Sequence, residues 1–530
     1  MEIRKRKVPL FFYAMLGGVL FWLAWPSRGF APLLFIAWIP LLLIEEHFYQ
    51  NHSGKKAKKI FGLAFLSFST WNILCTWWVY NSSAFGAGSA IIINSFLMSL
   101  VFLLFHFTRC KAGNVFGYVS LPVYWIAFEH LHMYWDLSWP WLTLGNGFAS
   151  YYKWIQWYEF TGVLGGSLWI LVVNILLFHC LPIVTGNRKV KALLALIVVP
   201  IVISFMRYYF YEEKISPVNV AVVQPNIDPY NEKFSGMSSQ EQLAKLLRLS
   251  ATVIDSSTNY LIAPETALPS GIWEEDLPIH PDIKLLHSFI KPFPQLTVVI
   301  GAATNRQYVE GEPHSETAHR FKKSPGWYDS YNTALQFDNF SDSIQTYHKS
   351  KLVPGVEKMP YPTVFGILEK FALDLGGMYG SLGVEDEPKN FIAHDSMRIA
   401  PIICYESIYG YYVGEYVRKG ARLLCIITND GWWGETPGHR QHLQYGRLRA
   451  IEMRRGIARS ANTGISCFIN QRGDILQPTK WWTDDAIKAT LNANDEMTFY
   501  ATHGDWLAKI MLVFSAMFLL FSVFRRKRNA

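Results

Sequence analysis

Three short stretches bring reactive side chains to the ends of β-like runs. PIICYES (401–407) sets Cys404 after an apolar run and before a Tyr-Glu pair, the pattern of a nucleophile exposed at a tight bend. LIAPETALP (261–269) ends a strand on Glu265, and YHKSKLVP (347–354) carries Lys349. A thiol is a useful nucleophile only as thiolate, so Cys404 needs a proton acceptor or a positive field. Glu265 is the candidate base, provided that burial lifts its carboxyl toward the working range. Lys349 stays protonated, favours the thiolate and then holds the oxyanion of a tetrahedral intermediate, together with a backbone N–H near Tyr405. Each residue alone has an ordinary reading: a buried Cys is usually a small hydrophobe, and a Glu or Lys a solvated surface group. Acid, lysine and cysteine in that order at three strand ends are far more specific. They make a nucleophilic catalyst without histidine. No HExxH and no Cys/His ligand cluster occurs, so the sequence asks for neither metal nor cofactor.

The elements that must position these groups alternate between short β-rich runs and polar helices. VNVAVVQPNI (218–227), YLIAPE, LTVVIGAATN (296–305), MRIAPIICYE and RLLCIITND (422–430) read as strands. SYNTALQFD and SIQTYHKSKL read as antiparallel neighbours. Residues 238–254 form a helix opened by a Ser238/Glu241 capping box, 282–291 another, and 437–455 a third stopped by Gly456. GISCFINQRGDI (464–475) adds a strand and a turn. Continuous apolar strands need cover on both faces, which predicts a layered α/β sandwich.

Outside this region the chain is apolar. Windows long enough to span a bilayer, about 17–25 residues, fall near 9–25, 30–48, 60–80, 88–107, 115–133, 163–183, 191–208 and 506–524. The expected organisation is a seven-helix transmembrane domain (1–211), a soluble catalytic domain (212–503), then an eighth helix with a basic tail (504–530). The first span follows the basic MEIRKRK but lacks a small-residue cleavage site, so it reads as a span rather than a removed leader. Lys and Arg cluster in alternate connections: Arg4–Lys7, Lys55–Lys59, Arg109 with Lys111, Arg188–Lys191 and Arg525–Arg528, against only Arg28 and Lys153 in the others. Basic loops stay cytoplasmic. Both termini are therefore expected inside and the soluble insert outside. Without those clusters the chain is acidic, so its formal charge of +8 reflects topology and indicates no nucleic-acid partner. The six cysteines show no paired spacing, and no disulfide framework is expected.

The Glu265, Lys349 and Cys404 stretches resemble the Glu-Lys-Cys triad of the nitrilase/carbon–nitrogen hydrolase superfamily. The whole chain resembles its apolipoprotein N-acyltransferase family, with SWPWLTLGN (138–146), TNDGWWGETPGHRQHLQYGRLRAIEMRR (428–455) and ARSANTGIS (458–466) carrying further likeness. The resemblance implies a nitrilase-like α-β-β-α sandwich inserted in an eight-helix transmembrane bundle of the bacterial inner membrane, with the sandwich periplasmic. It implies Glu265 as base, Lys349 as oxyanion and thiolate stabiliser, and Cys404 as the acylated nucleophile. Glu357 then matches a second essential acid, and Tyr405 and Glu406 the residues after the nucleophile. Phe234 is the nearest counterpart of a Trp at the pocket lip. VPGVEKMP (353–360) departs from the family's VPFGEYVP, so the turn before Glu357 must differ. The implied reaction is acyl transfer from a phospholipid, typically phosphatidylethanolamine, to Cys404, and then to the α-amine of a diacylglyceryl-cysteine apolipoprotein.

Two other readings stay open on the residues. One is a membrane-tethered amidase or nitrilase, in which water attacks the acyl-enzyme. The other is a channel or transporter with an inactive outer domain, which would need charged residues inside several spans. Residues 360–393, apolar and glycine-punctuated, are either a helix packed on the core or an amphipathic arm on the membrane. Trp77, Trp78, Trp135, Trp139, Trp141, Trp154 and Trp157 form either an interfacial belt or part of a substrate path.

Overall fold

The computed structural model describes residues 9–51, 57–180, 187–234, 236–341, 343–358, 361 and 381–525. They fall into two compact units, divided after Phe210 and before His503, with Asn81–Ala84 grouped with the second.

The first unit is helical. Its long elements are Leu10–Ala24, Ile39–Gln50, Ala57–Thr76, Ala84–Ala112, Asn114–Leu131, Tyr158–Cys180, Asn187–Phe210 and Trp506–Phe524. Among the described residues, six helical segments are long and apolar enough to cross a membrane. The helix Leu10–Ala24 is apolar but shorter, and Asn114–Leu131 carries Glu129 and His130 near its end. Large apolar side chains such as Val199, Ile203, Met206, Phe514 and Met517 stand exposed on these helices. Such a surface is stable against lipid and costly against water.

Two buried charged groups of this unit have clear partners. Arg109 is buried against Glu45, donates to Glu46 Oε2 at 2.5 Å, and lies over the rings of Tyr49 and Tyr118 at 3.9 and 4.5 Å. Glu129 Oε1 accepts from Trp125 Nε1 (2.9 Å) and from the Leu144 N–H (2.8 Å). That second bond anchors the short helical turns Pro140–Leu142 and Leu144–Trp154. The tryptophans expected in a belt divide accordingly. Trp78, Trp139 and Trp141 are buried, with Trp139 stacked on Trp141 (centroids 5.7 Å apart) and Trp78 tilted against it (4.8 Å), whereas Trp77 is exposed. Three of the seven are core residues.

The second unit contains two sheets. The first is built from β1 (Pro217–Gln224), β2 (Tyr260–Ile262), β3 (Leu268–Trp273), β4 (Thr297–Gln307), β5 (His319–Arg320), β6 (Trp327–Phe337) and β7 (Gln345–His348), closed by the late strand β14 (Asp485–Asn492). Its order is β14-β1-β2-β4-β6-β5, with β3 on β4 and β7 on β6. The second contains β8 (Phe391–Ile392), β9 (Arg398–Ile403), β10 (Leu423–Thr428), β11 (Gly456–Ala461), β12 (Cys467–Ile469) and β13 (Ile475–Leu476), in the order β13-β12-β11-β10-β9-β8. The sheets face each other: Ser460 Oγ on β11 donates to the Val223 carbonyl on β1 (2.8 Å). Helices cover the outer faces, Ser239–Ser250 on β1 and β3, and Gly410–Arg418 and Pro437–Met453 on β9, β11 and β12. This is the expected α-β-β-α sandwich. Every residue of LLCIIT in β10 is buried, as a strand covered on both faces requires.

Local chemistry sets the boundaries. The Ser238/Glu241 capping box forms as read, and such caps stabilise a helix by about 1 kcal/mol. The helix behind it ends at Ser250, and Leu243, Leu246 and Leu247 from it enter the core with Val298 and Ile300 of β4. The expected stop at Gly456 is corrected. The helix ends at Met453 because Arg454 takes a left-handed conformation (φ 47°), while Gly456 already begins β11. Strands β3, β11 and β14 were not expected; β14 carries mostly half-exposed residues and has no apolar run to announce it. Most of the 360–393 segment lies outside the described residues, as do the basic residues Arg4–Lys7, Lys55, Lys56 and Arg526–Arg528.

Candidate active site

The three singled-out side chains meet between the two sheets, at the carboxyl ends of strands. Glu265 follows β2 through Ala263 and Pro264. Its turn is held tightly: the Gly301 N–H donates to the Pro264 carbonyl (3.1 Å), and Thr266 adopts φ 47°. A Cβ on Gly301 would lie 2.5 Å from the Thr266 nitrogen and 2.6 Å from the Glu265 Cα, so β4 must carry glycine here. Lys349 follows β7, and its N–H donates to the Asn332 carbonyl on β6 (2.8 Å). Cys404 follows β9 directly and starts the single turn Cys404–Ile408, with φ 49°. A non-glycine residue there is strained, and such strain is held at sites where a side chain must be aimed.

Lys349 is the hub. Its Nζ donates to Glu265 Oε1 (3.0 Å) and to Glu357 Oε1 (2.8 Å), with all three side chains buried. Glu357 therefore joins the centre, and the Val353 N–H closes its turn onto Glu357 Oε2 (2.9 Å). Asn332 Nδ2 donates to both carboxylates, at 2.7 Å to Glu265 and 3.1 Å to Glu357. The Asn429 N–H, from the end of β10, donates to Glu265 Oε2 (3.0 Å) and links the second sheet to that carboxylate.

The electrostatics overturn one expectation. Burial alone would lift the Glu265 carboxyl, but the charge of Lys349, the Asn332 and Lys349 hydrogen bonds and the charge of Lys233 outweigh it, and its pKa lies below the ordinary value. The Glu265 carboxyl is thus already ionised rather than raised toward neutrality. Burial works against the Lys349 ammonium, but the charges of Glu265, Glu357 and Cys404 win and hold it well above the usual lysine range. Burial pushes the Cys404 thiol up, the charge of Glu265 adds to this, and Lys349 only partly opposes it. The resting Cys404 side chain is a thiol facing a carboxylate–ammonium–carboxylate cluster.

Behind the nucleophile, Glu406 is fully buried and holds the bend. It accepts from the Tyr347 hydroxyl (2.6 Å), the Ser350 N–H (2.7 Å) and the Ile403 N–H (2.8 Å). It ties the Cys404 turn to the strand end that carries Lys349, and burial raises its pKa to about 7. Tyr405 is buried edge-on against Tyr409. Phe234 is exposed and stacks on Trp432, with Tyr230 edge-on to the same indole.

Several participants escaped sequence reasoning. The Cys404 carbonyl accepts from Ser407 Oγ (2.7 Å) and lies 3.2 Å from His442 Nε2. His442 Nδ1 is 2.9 Å from Asp430 Oδ1, and Arg459 donates to Asp430 Oδ2 at 2.5 Å. A histidine thus supports the Cys404 backbone, where the sequence reading assigned none. Asn332 and Arg459 had a usable signal, since each is a polar residue inside an otherwise buried strand, where it must find partners. Lys233 had none: it is a lysine in a loop.

The stacked-sheet unit is that of carbon–nitrogen hydrolases, whose family model matches residues 219–498. A second model, the apolipoprotein N-acyltransferase N-terminal domain, matches residues 17–176. The chain is 30% identical to the apolipoprotein N-acyltransferase of Chlorobaculum tepidum, over 98% of this chain and 97% of that one. It is 27% identical to that of Geobacter metallireducens over 99% of each. Among solved structures, an amidase from Nesterenkonia sp. is similar at 14% identity and a TM-score of 0.37, covering 57% of this chain and 98% of that one. The chain belongs to the apolipoprotein N-acyltransferase family and is a membrane protein.

Proposed function

We propose that the chain transfers a fatty acyl group from a phospholipid, through a thioester on Cys404, to the α-amine of the N-terminal diacylglyceryl-cysteine of an apolipoprotein. The observation that carries this reading is the buried Glu265–Lys349–Glu357 cluster beside a strained strand-end cysteine, in a chain of this family. In the first step Cys404 Sγ attacks the ester carbonyl while its proton passes to the Glu265 carboxylate. Lys349 and a backbone N–H after the nucleophile stabilise the developing oxyanion. The tetrahedral intermediate expels the lysophospholipid alkoxide, which takes the proton from Glu265, and the thioester remains. In the second step the acceptor amine attacks the thioester, Glu265 takes its proton, and the departing thiolate is reprotonated as the amide forms.

The ionised base and protonated thiol fit this cycle. Glu265 is free to accept a proton, yet the sulfur gains negative charge only when a carbonyl is present to pass it on. A resting thiol is also slow to oxidise, which suits a catalytic domain placed in the periplasm. Glu357 shares the Lys349 ammonium with Glu265 and orients it. Glu406 and Tyr405 act behind Cys404, and Phe234 at the lip.

Phosphatidylethanolamine is the proposed donor. The alternation of basic loops supports a topology with residues 212–503 on the periplasmic side of the inner membrane, between the helices of 1–211 and the helix and tail of 504–530, with both termini cytoplasmic. Arg109 pairs with Glu45 and Glu46, and Arg207 with Glu159, which favours a scaffold for lipid substrates over an ion path.

Purified protein given phosphatidylethanolamine and a diacylated lipopeptide should yield the triacylated peptide, and without acceptor one fatty acyl mass on Cys404. Free fatty acid as the main product would make the protein a hydrolase. An adduct on Cys425 or Cys467 would reassign the nucleophile. A phosphatase fused after residue 212 should be active only outside the cytoplasm.

A further inference from the structure

Lys233 is 3% exposed, and among the described residues no carboxylate lies within ion-pair distance of its Nζ. Its Nζ donates instead to the carbonyl oxygen of Glu265 (3.2 Å) and to Thr266 Oγ1 (2.5 Å). A buried lysine without an ion pair is costly, and a neutral side chain of the same length would fill the space at no such cost. The position is nevertheless held firmly. The Lys233 N–H donates to the Asp228 carbonyl (2.9 Å), and its own carbonyl accepts from the buried Gln242 (2.7 Å) on the helix Ser239–Ser250.

We propose that Lys233 is a positioning residue of the acyl transfer, fixing the turn that aims Glu265 and setting a second positive charge behind it. The turn needs fixing, because Thr266 is held at positive φ and Gly301 leaves no slack beside it. The groups facing the Glu265 carboxylate are Lys349 from the β7 end, Asn332 from β6, the Asn429 N–H from the β10 end and the Cys404 thiol from the β9 end. Glu357 shares Lys349 and Asn332 and is the opposing negative charge. Lys349 must also meet the oxyanion, so its hold on Glu265 weakens as the reaction proceeds. Lys233 bonds the backbone behind the base and keeps its charge in place throughout. Burial lowers its pKa to about 8, against the pull of Glu265. Phe234 follows it directly, so the same loop joins the lip to the base.

The proposal rests on Glu265 being the base, and the test separates the two. Full-length protein in phosphatidylethanolamine nanodiscs, without acceptor, is followed by mass spectrometry for single-turnover acylation of Cys404 across pH. Lys233→Met and Lys233→Gln should slow acylation at least about tenfold. Both should also move the acid limb upward by about one pH unit, since losing a nearby positive charge disfavours the carboxylate. Lys233→Arg should keep the limb where it is. Should Lys233→Met not be recovered folded, Lys233→Gln, which retains a donor, carries the same comparison. A limb at its wild-type position in the uncharged variants overturns the proposal, whatever their thermal stability. Glu265→Gln acylated at the wild-type rate would instead overturn the assignment of the base.

Discussion

The molecule buries two clusters that each set one cation between two carboxylates, and they differ in what they leave open. In the helical unit Arg109 is enclosed by Glu45, Glu46 and two tyrosine rings, with His106 on the far oxygen of Glu45, and no nucleophile borders the cluster among these contacts. In the sandwich Lys349 also holds two carboxylates, but these three groups border a thiol that ends a strand in a strained conformation. The chemistry of the two clusters is nearly the same. A closed cluster can only fix helices against one another, whereas an open one can move a proton and meet a developing charge. Burial of charge is thus no sign of catalysis until the unanswered neighbour is found.

Breaking the two clusters should separate these roles. Cys404→Ala should reduce N-acylation of a diacylated lipopeptide to background while thermal unfolding stays near wild type. Lys349→Met should lower single-turnover acylation by roughly 10³-fold, and leaving two buried carboxylates without a cation should destabilise the fold by about 3–5 kcal/mol. Gly301→Ala, which forces a Cβ onto the Glu265 turn, should cost about 10²-fold in the same assay through misplacement of the base. Arg109→Met should do the reverse of these. Its thermal midpoint should fall clearly, yet turnover per folded molecule should stay within about twofold, since no reacting group is touched. A large loss of turnover there would erase the distinction between the clusters.

The smallest effect concerns Glu406 and its pH dependence. Its folded pKa is raised to about 7, so its contribution to stability is complete below the ordinary carboxylate range and is lost as pH rises through 7. Glu265 is depressed and has the opposite sign: its contribution is present above the ordinary range and is lost as pH falls below it. The stability of wild type relative to Glu406→Gln should therefore decline between pH 5 and pH 8, on the order of 2 kcal/mol. Thermal midpoints of both proteins at the two pH values measure it, and a constant difference would show that Glu406 does not titrate in this window.

Much of this was legible along the chain because its causes are local. Leu423–Thr428 is apolar without interruption and forms a strand buried on both faces. Ser238 and Glu241 stand three apart and close their box. Cys404, Glu265 and Lys349 each follow a β-like run, and each sits at a strand end. The misses have nonlocal causes. Strand β14 exists because β1 has an edge to fill along its full length, from Pro217 opposite Asn492 to Gln224 opposite Asp485. The helix from Pro437 ends on a left-handed Arg454, whose guanidinium bonds the distant Gln471 carbonyl (3.0 Å). Trp141 is core because Trp78 lies against it, which no count of tryptophans reveals.

The sequence by itself determined which residues could react, which runs were strands, and which stretches belonged with lipid, because hydropathy, periodicity and residue type act over a few neighbours. Only the tertiary structure decided their electrical state. Glu265 is ionised rather than raised because Lys349, Asn332 and Lys233, 84, 67 and 32 residues away along the chain, converge on it once the sheets stack. A carboxyl's pKa depends on charges and donors within a few ångströms in space, and distance in space is what folding supplies.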